Sequence, residues 1–388
     1  MVRTSVRLLI ASGLLLSVVP PVLGQAPVLR SANHDYRVVT VADGLMTPWS
    51  MAFLPGGDIL ITERAGRLRL VRDGLLRMES IEGVPEVLEQ GQGGLFDVVL
   101  HPDFESNQWV YLSYAKPIGD GTEATTAVSR GRFENDRLMD VEDIFVATTQ
   151  GRSGHYGGRL AFDADGYLWV TVGERQAPSS GDLTAHPAQD ISNHHGTVNR
   201  LNDDGSVPSD NPYVGESDVL PSIWSYGHRN PQGLAIHPET GDIWITEHGP
   251  QGGDELNRVL PRLNYGWPVI GYGVNYRTGS AIHEGTLRED IEAPTHFWVP
   301  SIATSGLMIY NGDLFPAWKG NIFAGGLAGQ QIARLTLDGQ RVVREETLLE
   351  GMGRVRDIRQ SPDGYIYVAL ENRGQPSAVV RLEPAGAR

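Results

Sequence analysis

The segment Asp165-Gly166-Tyr167-Leu168-Trp169-Val170-Thr171 carries a pattern that recurs along most of the chain. A turn containing Asp, Pro or Gly precedes four or five β-branched or aromatic residues, and a small or polar residue ends the run. Such runs are too short for helices and are rich in strand-forming residues. The other copies lie at residues 55–62, 101–113, 241–246, 320–324 and 363–369.

The spacing of these six copies predicts the fold class. They are separated by about 45 to about 80 residues, so each repeat carries an insertion of different length. Repeated short strands with unequal loops are typical of a β-propeller, here one with six blades. An all-β sandwich with accidental similarity is the alternative. No helical periodicity or Ser/Gly linker divides the chain, so we expect one domain over residues 30–388.

The N-terminus has the features of a secretory signal peptide. Arg3 and Arg7 flank the start of an apolar run, residues 8–19, which is followed by a pair of prolines. The run is short for a membrane anchor, which needs roughly 20 apolar residues. We therefore expect residues 1–24 to be removed and the mature protein to be periplasmic or secreted, without a membrane span.

The composition excludes some classes of binding partner. The chain has no cysteine and a net charge of −15, which becomes −17 without the two arginines of the leader. An acidic protein is a poor ligand for nucleic acid or anionic lipid. Only Lys116 and Lys319 are lysines. Functional cations are therefore expected to be arginines, whose planar fork suits carboxylates.

Several common catalytic signatures are absent. The sequence contains no G-x-S-x-G, no P-loop, no H-E-x-x-H and, without cysteine, no thiol chemistry. The adjacent pair His194-His195 is a weak metal candidate, because neighbouring side chains in an extended segment point apart. What remains is a set of polar residues embedded in glycine-rich segments.

These polar residues precede or follow successive repeats at similar positions, so a propeller brings them to one face. Gln92 precedes the second copy, His155 the third, Arg229 the fourth and Arg354-Val355-Arg356 the sixth, while the loop 249–255 follows the fourth. Arginines and amides in one pocket predict a site for a planar polyanion. The carbonyls of that loop and its carboxylates, Asp254 and Glu255, are hard oxygen donors suited to Ca²⁺.

Six ordered segments resemble the soluble glucose/sorbosone dehydrogenase family, in particular the aldose sugar dehydrogenases that use pyrroloquinoline quinone (PQQ). They are QGQGGLFDVVLHPDF, GHYGGRLAFDADGYLWVTVGE, IWSYGHRNPQGLAIHP, EHGPQGGDELN, NYGWP and GRVRDI. The resemblance covers nearly all of the chain after residue 24. It implies a six-bladed fold, as the repeat count does.

The resemblance also implies residue roles. It makes His155 the general base, Arg229 a catalytic partner, and the carbonyls of Gly249 and Pro250 the ligands of a catalytic calcium. It assigns a structural calcium to Glu255 and the carbonyl of Tyr265. The implied PQQ contacts are Gln92, Arg229, Asn230, Tyr276, Gly326, Leu327, Ala328, Arg354 and Arg356.

Two positions depart from the family pattern. Gly154 stands where relatives have Asp or Asn before the histidine, and Ala328 stands where many have a lysine against the cofactor. The implied reaction is oxidation of an aldose at C1 to the lactone, with hydride transfer to PQQ and an unidentified final electron acceptor. The alternatives are a calcium-dependent lactonase-type hydrolase and a propeller that binds a partner without catalysis.

Overall fold

A computed structural model describes residues 26–151 and 154–386 of the chain. The expected signal peptide, residues 1–24, lies outside the described residues. Within them almost all of the regular secondary structure is β-strand, arranged in six small antiparallel sheets. The predicted fold class, a six-bladed β-propeller, is confirmed.

The strands of the N-terminal segment and of blades one to three range from 2 to 12 residues, and some are joined by long loops such as 173–196 and 202–222. In chain order they are β1 (Val28–Leu29), β2 (Tyr36–Leu45), β3 (Pro48–Phe53), β4 (Ile59–Glu63), β5 (Arg67–Arg72), β6 (Leu75–Leu76), β7 (Leu95–Leu100), β8 (Trp109–Ile118), β9 (Glu123–Glu134), β10 (Arg137–Val146), β11 (Gly157–Phe162), β12 (Leu168–Val172), β13 (Thr197–Leu201) and β14 (Ile223–Ser225).

Blades four to six follow the same plan. Their strands are β15 (Pro231–Ile236), β16 (Ile243–Glu247), β17 (Asp254–Val259), β18 (His296–Trp298), β19 (Thr304–Ile309), β20 (Ile322–Gly326), β21 (Gln331–Asp338), β22 (Arg341–Leu348), β23 (Arg354–Gln360), β24 (Ile366–Glu371) and β25 (Ser377–Pro384). The described helices are one α-helical turn, α1 (Phe104–Asn107), and the 3-10 turns Leu183–Ala185, Pro187–Gln189 and Pro316–Trp318.

The first strand of each blade lies at the centre. Strands β3, β7, β11, β15, β19 and β23 contact one another in a closed ring. Each pairs with the strand that follows it, and that second strand contains the apolar run of a sequence repeat. The repeats were detectable because each one corresponds to the second strand of a blade. That strand is buried on both faces and therefore reads as an apolar run.

Apolar packing holds the blades side by side. Six clusters of buried residues lie one between each pair of neighbouring blades. The ring is closed by the N-terminal strand β2, which pairs with the C-terminal strand β25 and completes blade six. Both ends of the domain thus contribute to one sheet, which ties the N-terminal segment to the last blade.

A register shift occurs near the start of every central strand. It falls between Pro48 and Ser50 in blade one and between Gly157 and Leu160 in blade three, and the other four blades have equivalent shifts. Such bulges bend a strand and re-aim the side chains beside it. All six lie on the face where the central strands begin, which is the face of the candidate site.

A search of the described residues finds no helix that is both long and apolar enough to span a membrane.

Candidate active site

Two neighbouring cavities open on the face where the central strands begin. The central cavity, of about 520 Å³, lies over the ring of first strands. The outer cavity, of about 430 Å³, lies between the loops of blades two, three and four. Gln92 and His248 line both cavities. A ligand could therefore occupy one cavity while presenting an edge to the other.

His155 lies in the outer cavity at the entry to β11. Its backbone has a φ of +49°, in the left-handed region that non-glycine residues seldom adopt. Its amide donates to Oε1 of Gln92 at 2.9 Å, which holds this backbone to blade two. The side chain is buried, with 7% exposed. Strained backbone of this kind is frequent at functional sites.

Glu174 orients the imidazole. Nδ1 of His155 donates a hydrogen bond to the Glu174 carboxylate, which leaves Nε2 as the basic atom of a neutral ring. Burial and the positive charge of Arg229 lower the pKa of His155 below its usual value. Burial opposes ionisation of Glu174, yet the hydrogen bond from His155 keeps its pKa below the ordinary value. The pair is therefore a neutral histidine beside a carboxylate.

Glycine at position 154 has a local explanation. A β-carbon there would lie 2.4 to 2.7 Å from the terminal atoms of the Gln176 side chain. Gln176 lines the outer cavity beside His155 and Glu174. This chain thus lacks a side chain at the position before the histidine. The Gln176 amide, from the loop after β12, occupies the space that such a side chain would fill.

Arg229 is buried beside the histidine, and contacts on several sides hold its guanidinium group in place. Its amide donates to Glu247, and its Nη1 donates to the carbonyls of His248 at 3.1 Å and Gly249 at 2.7 Å. The guanidinium lies 4.8 Å from the centre of the Trp267 ring. Its Nε is buried without a hydrogen-bond partner among the described residues. A buried donor of this kind is normally satisfied by a ligand or water.

Arginines line the central cavity. Arg354 and Arg356 both bind Glu371, at 3.3 and 2.8 Å, across the start of β23 and the end of β24. Burial opposes ionisation of Glu371, but the two guanidinium groups lower its pKa to about 2. Arg64 and Arg373 line the same cavity. Four arginines against one glutamate give the cavity a formal excess of three positive charges in an acidic protein.

The remaining predicted cofactor contacts divide into two groups. Asn230, Leu327 and Ala328 line the central cavity. Tyr276 lines the outer cavity, and its hydroxyl donates to the Pro250 carbonyl at 3.0 Å. Gly326 is the last residue of β20 and is not among the residues that line either cavity.

Sequence reasoning missed His248, which follows Glu247 in the EHGP segment. Its half-buried side chain lines both cavities, and Nε2 is buried without a hydrogen-bond partner among the described residues. Burial and the nearby charge of Arg229 lower its pKa to about 3, so the ring is neutral. In the sequence it stands between Glu247 and Gly249, and nothing in that segment distinguished the histidine from the loop that follows it.

The loop 249–255 offers oxygen atoms but no carboxylate cluster. No group of three or more His, Cys, Asp or Glu residues with metal-binding geometry occurs in the described part of the chain. Asp254 is already satisfied: it accepts hydrogen bonds from the Gly249 amide at 2.9 Å and from the Ser301 hydroxyl. It therefore braces the loop from inside, and its role as a calcium ligand stays a prediction.

Glu255 borders a small chamber behind this loop. The chamber, of about 20 Å³, is also lined by Glu247, Tyr265 and Pro250. That volume is about enough for one water molecule or ion. Burial and the neighbouring carboxylate of Glu247 raise the pKa of Glu255. Two acidic groups around a small chamber are the arrangement that a bound cation would stabilise, so the residues fit a calcium ion.

The two histidines dismissed as a metal pair have separate partners. His194 interacts with Thr148 and Ser222, and His195 interacts with Asn193 and Gln150. Both rings serve to hold the loops outside blade three.

The cavities suit a flat anionic ligand beside a substrate pocket. The size of the central cavity is within the usual range for cofactor sites, about 300–1,000 Å³. Its charge matches a tricarboxylate such as PQQ, and Trp49 and Phe96 add aromatic surface. The neutral histidine and the buried arginine lie in the adjoining outer cavity. Fold and site together define a propeller with a cavity that suits a planar polyanion, next to a buried histidine–carboxylate pair.

Comparison with known proteins agrees with this definition. Residues 45–380 match the glucose/sorbosone dehydrogenase family. Aldose sugar dehydrogenase YliI of Escherichia coli is 40% identical over 90% of this chain and 94% of its own length. The chain belongs to the glucose/sorbosone dehydrogenase family, a family of oxidoreductases. The resemblance seen in the six sequence segments is thereby confirmed.

Solved structures show the same fold. The apo crystal structure of the soluble aldose sugar dehydrogenase from Escherichia coli has a TM-score of 0.83 and 39% identity, covering 90% of this chain and 99% of that one. The PQQ-bound aldose sugar dehydrogenase from Streptomyces coelicolor has a TM-score of 0.73 and 28% identity, covering 94% of this chain and 99% of that one.

Proposed function

We propose that this protein oxidises aldose sugars at C1 to the lactone, using PQQ and Ca²⁺. The observation that supports this most directly is the pairing of two cavities: one with an excess of arginine, the other with the His155–Glu174 pair. When bound, PQQ supplies the two-electron acceptor that the protein's own side chains lack.

The central cavity provides the residues that would hold PQQ. Arg354 and Arg356 would bind its carboxylates, and Asn230 would offer an amide, since all three line this cavity. Arg354 is fixed by Glu371 and by the Leu327 carbonyl, and Arg356 by Glu371 and the Gln232 amide oxygen. These partners hold both guanidinium groups in place before the ligand arrives, which reduces the entropy lost on binding.

Nε2 of His155 would take the proton from the C1 hydroxyl of the sugar. The ring is neutral because burial and Arg229 disfavour its charged form, and Glu174 stabilises the charge that appears when Nε2 takes the proton. Arg229 places a second positive charge beside the outer cavity, where negative charge develops during the reaction.

Calcium would bind on the same side of the site. The carbonyls of Gly249 and Pro250 are the proposed catalytic ligands, and in this structure they accept hydrogen bonds from Arg229 and Tyr276. The chamber at Glu255 and Tyr265 is the proposed structural site. We also propose that the protein is exported through its N-terminal leader and passes electrons to an acceptor outside the cytoplasm.

Reconstitution tests the function. The purified protein is incubated with PQQ, Ca²⁺, both or neither, and sugar-dependent reduction of an artificial electron acceptor is followed. We expect turnover only with both. A calcium-dependent lactonase would instead hydrolyse lactones without PQQ, and a non-catalytic propeller would show neither activity, so either result would replace the proposal.

A further inference from the structure

The central cavity contains more arginine than the family resemblance assigns. That resemblance leads one to expect a lysine against the cofactor at position 328, and this chain has alanine there. Ala328 lines the cavity, so the wall that would contact the cofactor lacks the positive charge of that lysine. The cavity nevertheless carries an excess of positive charge, which must come from other residues.

The two arginines that the resemblance does assign are partly neutralised. Arg354 and Arg356 share the buried carboxylate of Glu371. Two guanidinium groups beside one carboxylate leave a single net positive charge at this point. Within the central cavity that single charge is smaller than the three negative charges of a tricarboxylate, and Arg229, the third assigned arginine, lies in the outer cavity.

Arg64 is the first of the unassigned arginines. It follows Glu63 at the end of β4 in blade one and lines the cavity beside Gly91 and Gln92. Its Nη1 donates to the Gly91 carbonyl at 2.8 Å, while the carboxylate of Glu89 is 3.9 Å away and half exposed. Its Nε is buried without a hydrogen-bond partner among the described residues. The side chain is held in place and has donor capacity to spare.

Arg373 is the second. It lies two residues after Glu371, at the end of β24 in blade six, and borders the cavity from an exposed position. Burial and the positive charge of Arg373 both lower the pKa of Arg354, which shows that the two groups lie in the same local field. No acidic partner within ion-pair distance is found for it among the described residues.

We propose that Arg64 and Arg373 bind carboxylates of the PQQ ligand and replace the lysine that is absent at position 328. The proposal rests on the proposed function, since PQQ is its ligand. Guanidinium groups from blades one and six would then act with Arg354 and Arg356 around the anion. A rigid arginine fork binds a carboxylate more specifically than a lysine does.

The test is a direct titration of the apoprotein with PQQ in the presence of Ca²⁺ and without sugar, followed by tryptophan fluorescence, since Trp49 lines the cavity. We expect Arg64→Gln to weaken binding about tenfold or more, as for a lost charge-assisted hydrogen bond. The more exposed Arg373→Gln should weaken it up to about fivefold. Arg341→Gln, on the exposed outer strand β22, should leave the affinity unchanged.

A rescue experiment separates charge from structure. Ala328→Lys in the Arg64→Gln background should recover most of the lost affinity, and thermal unfolding should show that each apoprotein is folded. Two results would overturn this proposal while the proposed function stands. In the first, the wild-type protein binds PQQ and neither Arg64→Gln nor Arg373→Gln changes the affinity. In the second, Arg64→Gln weakens binding but Ala328→Lys does not restore it. Failure of the wild-type protein to bind PQQ overturns the proposed function itself.

Discussion

At the scale of single residues, His155 is held at two points. Its backbone amide is held by Gln92 and its ring by Glu174, so Nε2 has one direction in which to act. We predict that His155→Ala lowers kcat by at least about a hundredfold, the lower range for loss of a general base. PQQ affinity should be retained, because the imidazole acts on the sugar. His296→Ala, on an outer strand, is the control. Near-normal turnover would show that another group is the base.

The carboxylate of Glu174 should set the pH dependence. His155 is active when neutral, so the rate falls as the pH drops through its pKa, which burial and Arg229 place below 6.5. Glu174 favours the protonated ring. Glu174→Gln should therefore move the acidic limb of kcat/KM to lower pH and reduce the plateau about tenfold. Glu345→Gln, in the His296–Glu345 pair, should leave the profile unchanged. A limb that moves to higher pH contradicts the assignment.

Sequence alone identified the histidine but not its partner. His155 lies in a recognisable glycine-rich segment, whereas Glu174 is 19 residues away and is brought to it by the hairpin β11–β12. A clue existed, because Glu63, Glu174, Glu247 and Glu371 all stand at or just after the end of a second strand. Which of these glutamates faces a histidine depends on tertiary contacts that no repeat pattern contains.

At the scale of elements, the loop before β11 and the loop after β12 compete for the same volume beside His155. The three atoms nearest to a β-carbon at 154 all belong to the flexible end of Gln176. Gly154→Asn should therefore displace the Gln176 amide at little cost, changing Tm by less than about 2 °C. The KM for sugar should change severalfold, because that amide lines the outer cavity. Gly285→Asn, at an open loop position, is the control. A large fall in Tm with unchanged KM would show that Gln176 does not yield.

The repeats predicted the second strands well and the first strands poorly. The second strands are buried on both faces and read as continuous apolar runs, as in Ile59–Glu63 and Ile366–Glu371. Four of the six first strands begin with glycine, proline or arginine, and all six contain bulges, so their polar and small residues gave no strand pattern. These irregular strand starts are also where the site residues lie, because bulges direct side chains toward the cavity.

At the scale of the whole molecule, charged side chains fill the centre of the ring below the cavity. Arg159 of blade three binds Asp357 of blade six at 2.7 Å and donates to the carbonyl of Gln232 in blade four. Arg359 of blade six binds both Asp357 at 2.9 Å and Asp97 of blade two at 2.6 Å. The channel is thereby closed by a balanced network that joins blades from opposite sides.

This network supports the floor of the candidate site. The Arg159 guanidinium lies 4.1 Å from the centre of the Trp49 ring and donates to the backbone carbonyl of Arg356, and both of those residues line the central cavity. The sequence could not have predicted it, since its members are spread over residues 97–359 and each resembles an ordinary charged residue in a strand. Only ring closure places them at hydrogen-bonding distance.

Breaking the network should destabilise the whole propeller. Asp357 is 1% exposed and accepts hydrogen bonds from Arg159 and Arg359, so Asp357→Asn leaves a buried positive charge without its counter-ion. Loss of one partner of a buried pair costs about 3–5 kcal/mol. Urea unfolding should show a decrease of this size, against less than about 0.5 kcal/mol for Asp338→Asn on the surface. The double variant Asp357→Asn/Arg359→Gln should lose less than the sum of the single changes, because it removes opposite charges together. An Asp357→Asn protein as stable as the wild type would mean that the neighbouring Asp97 already balances both arginines.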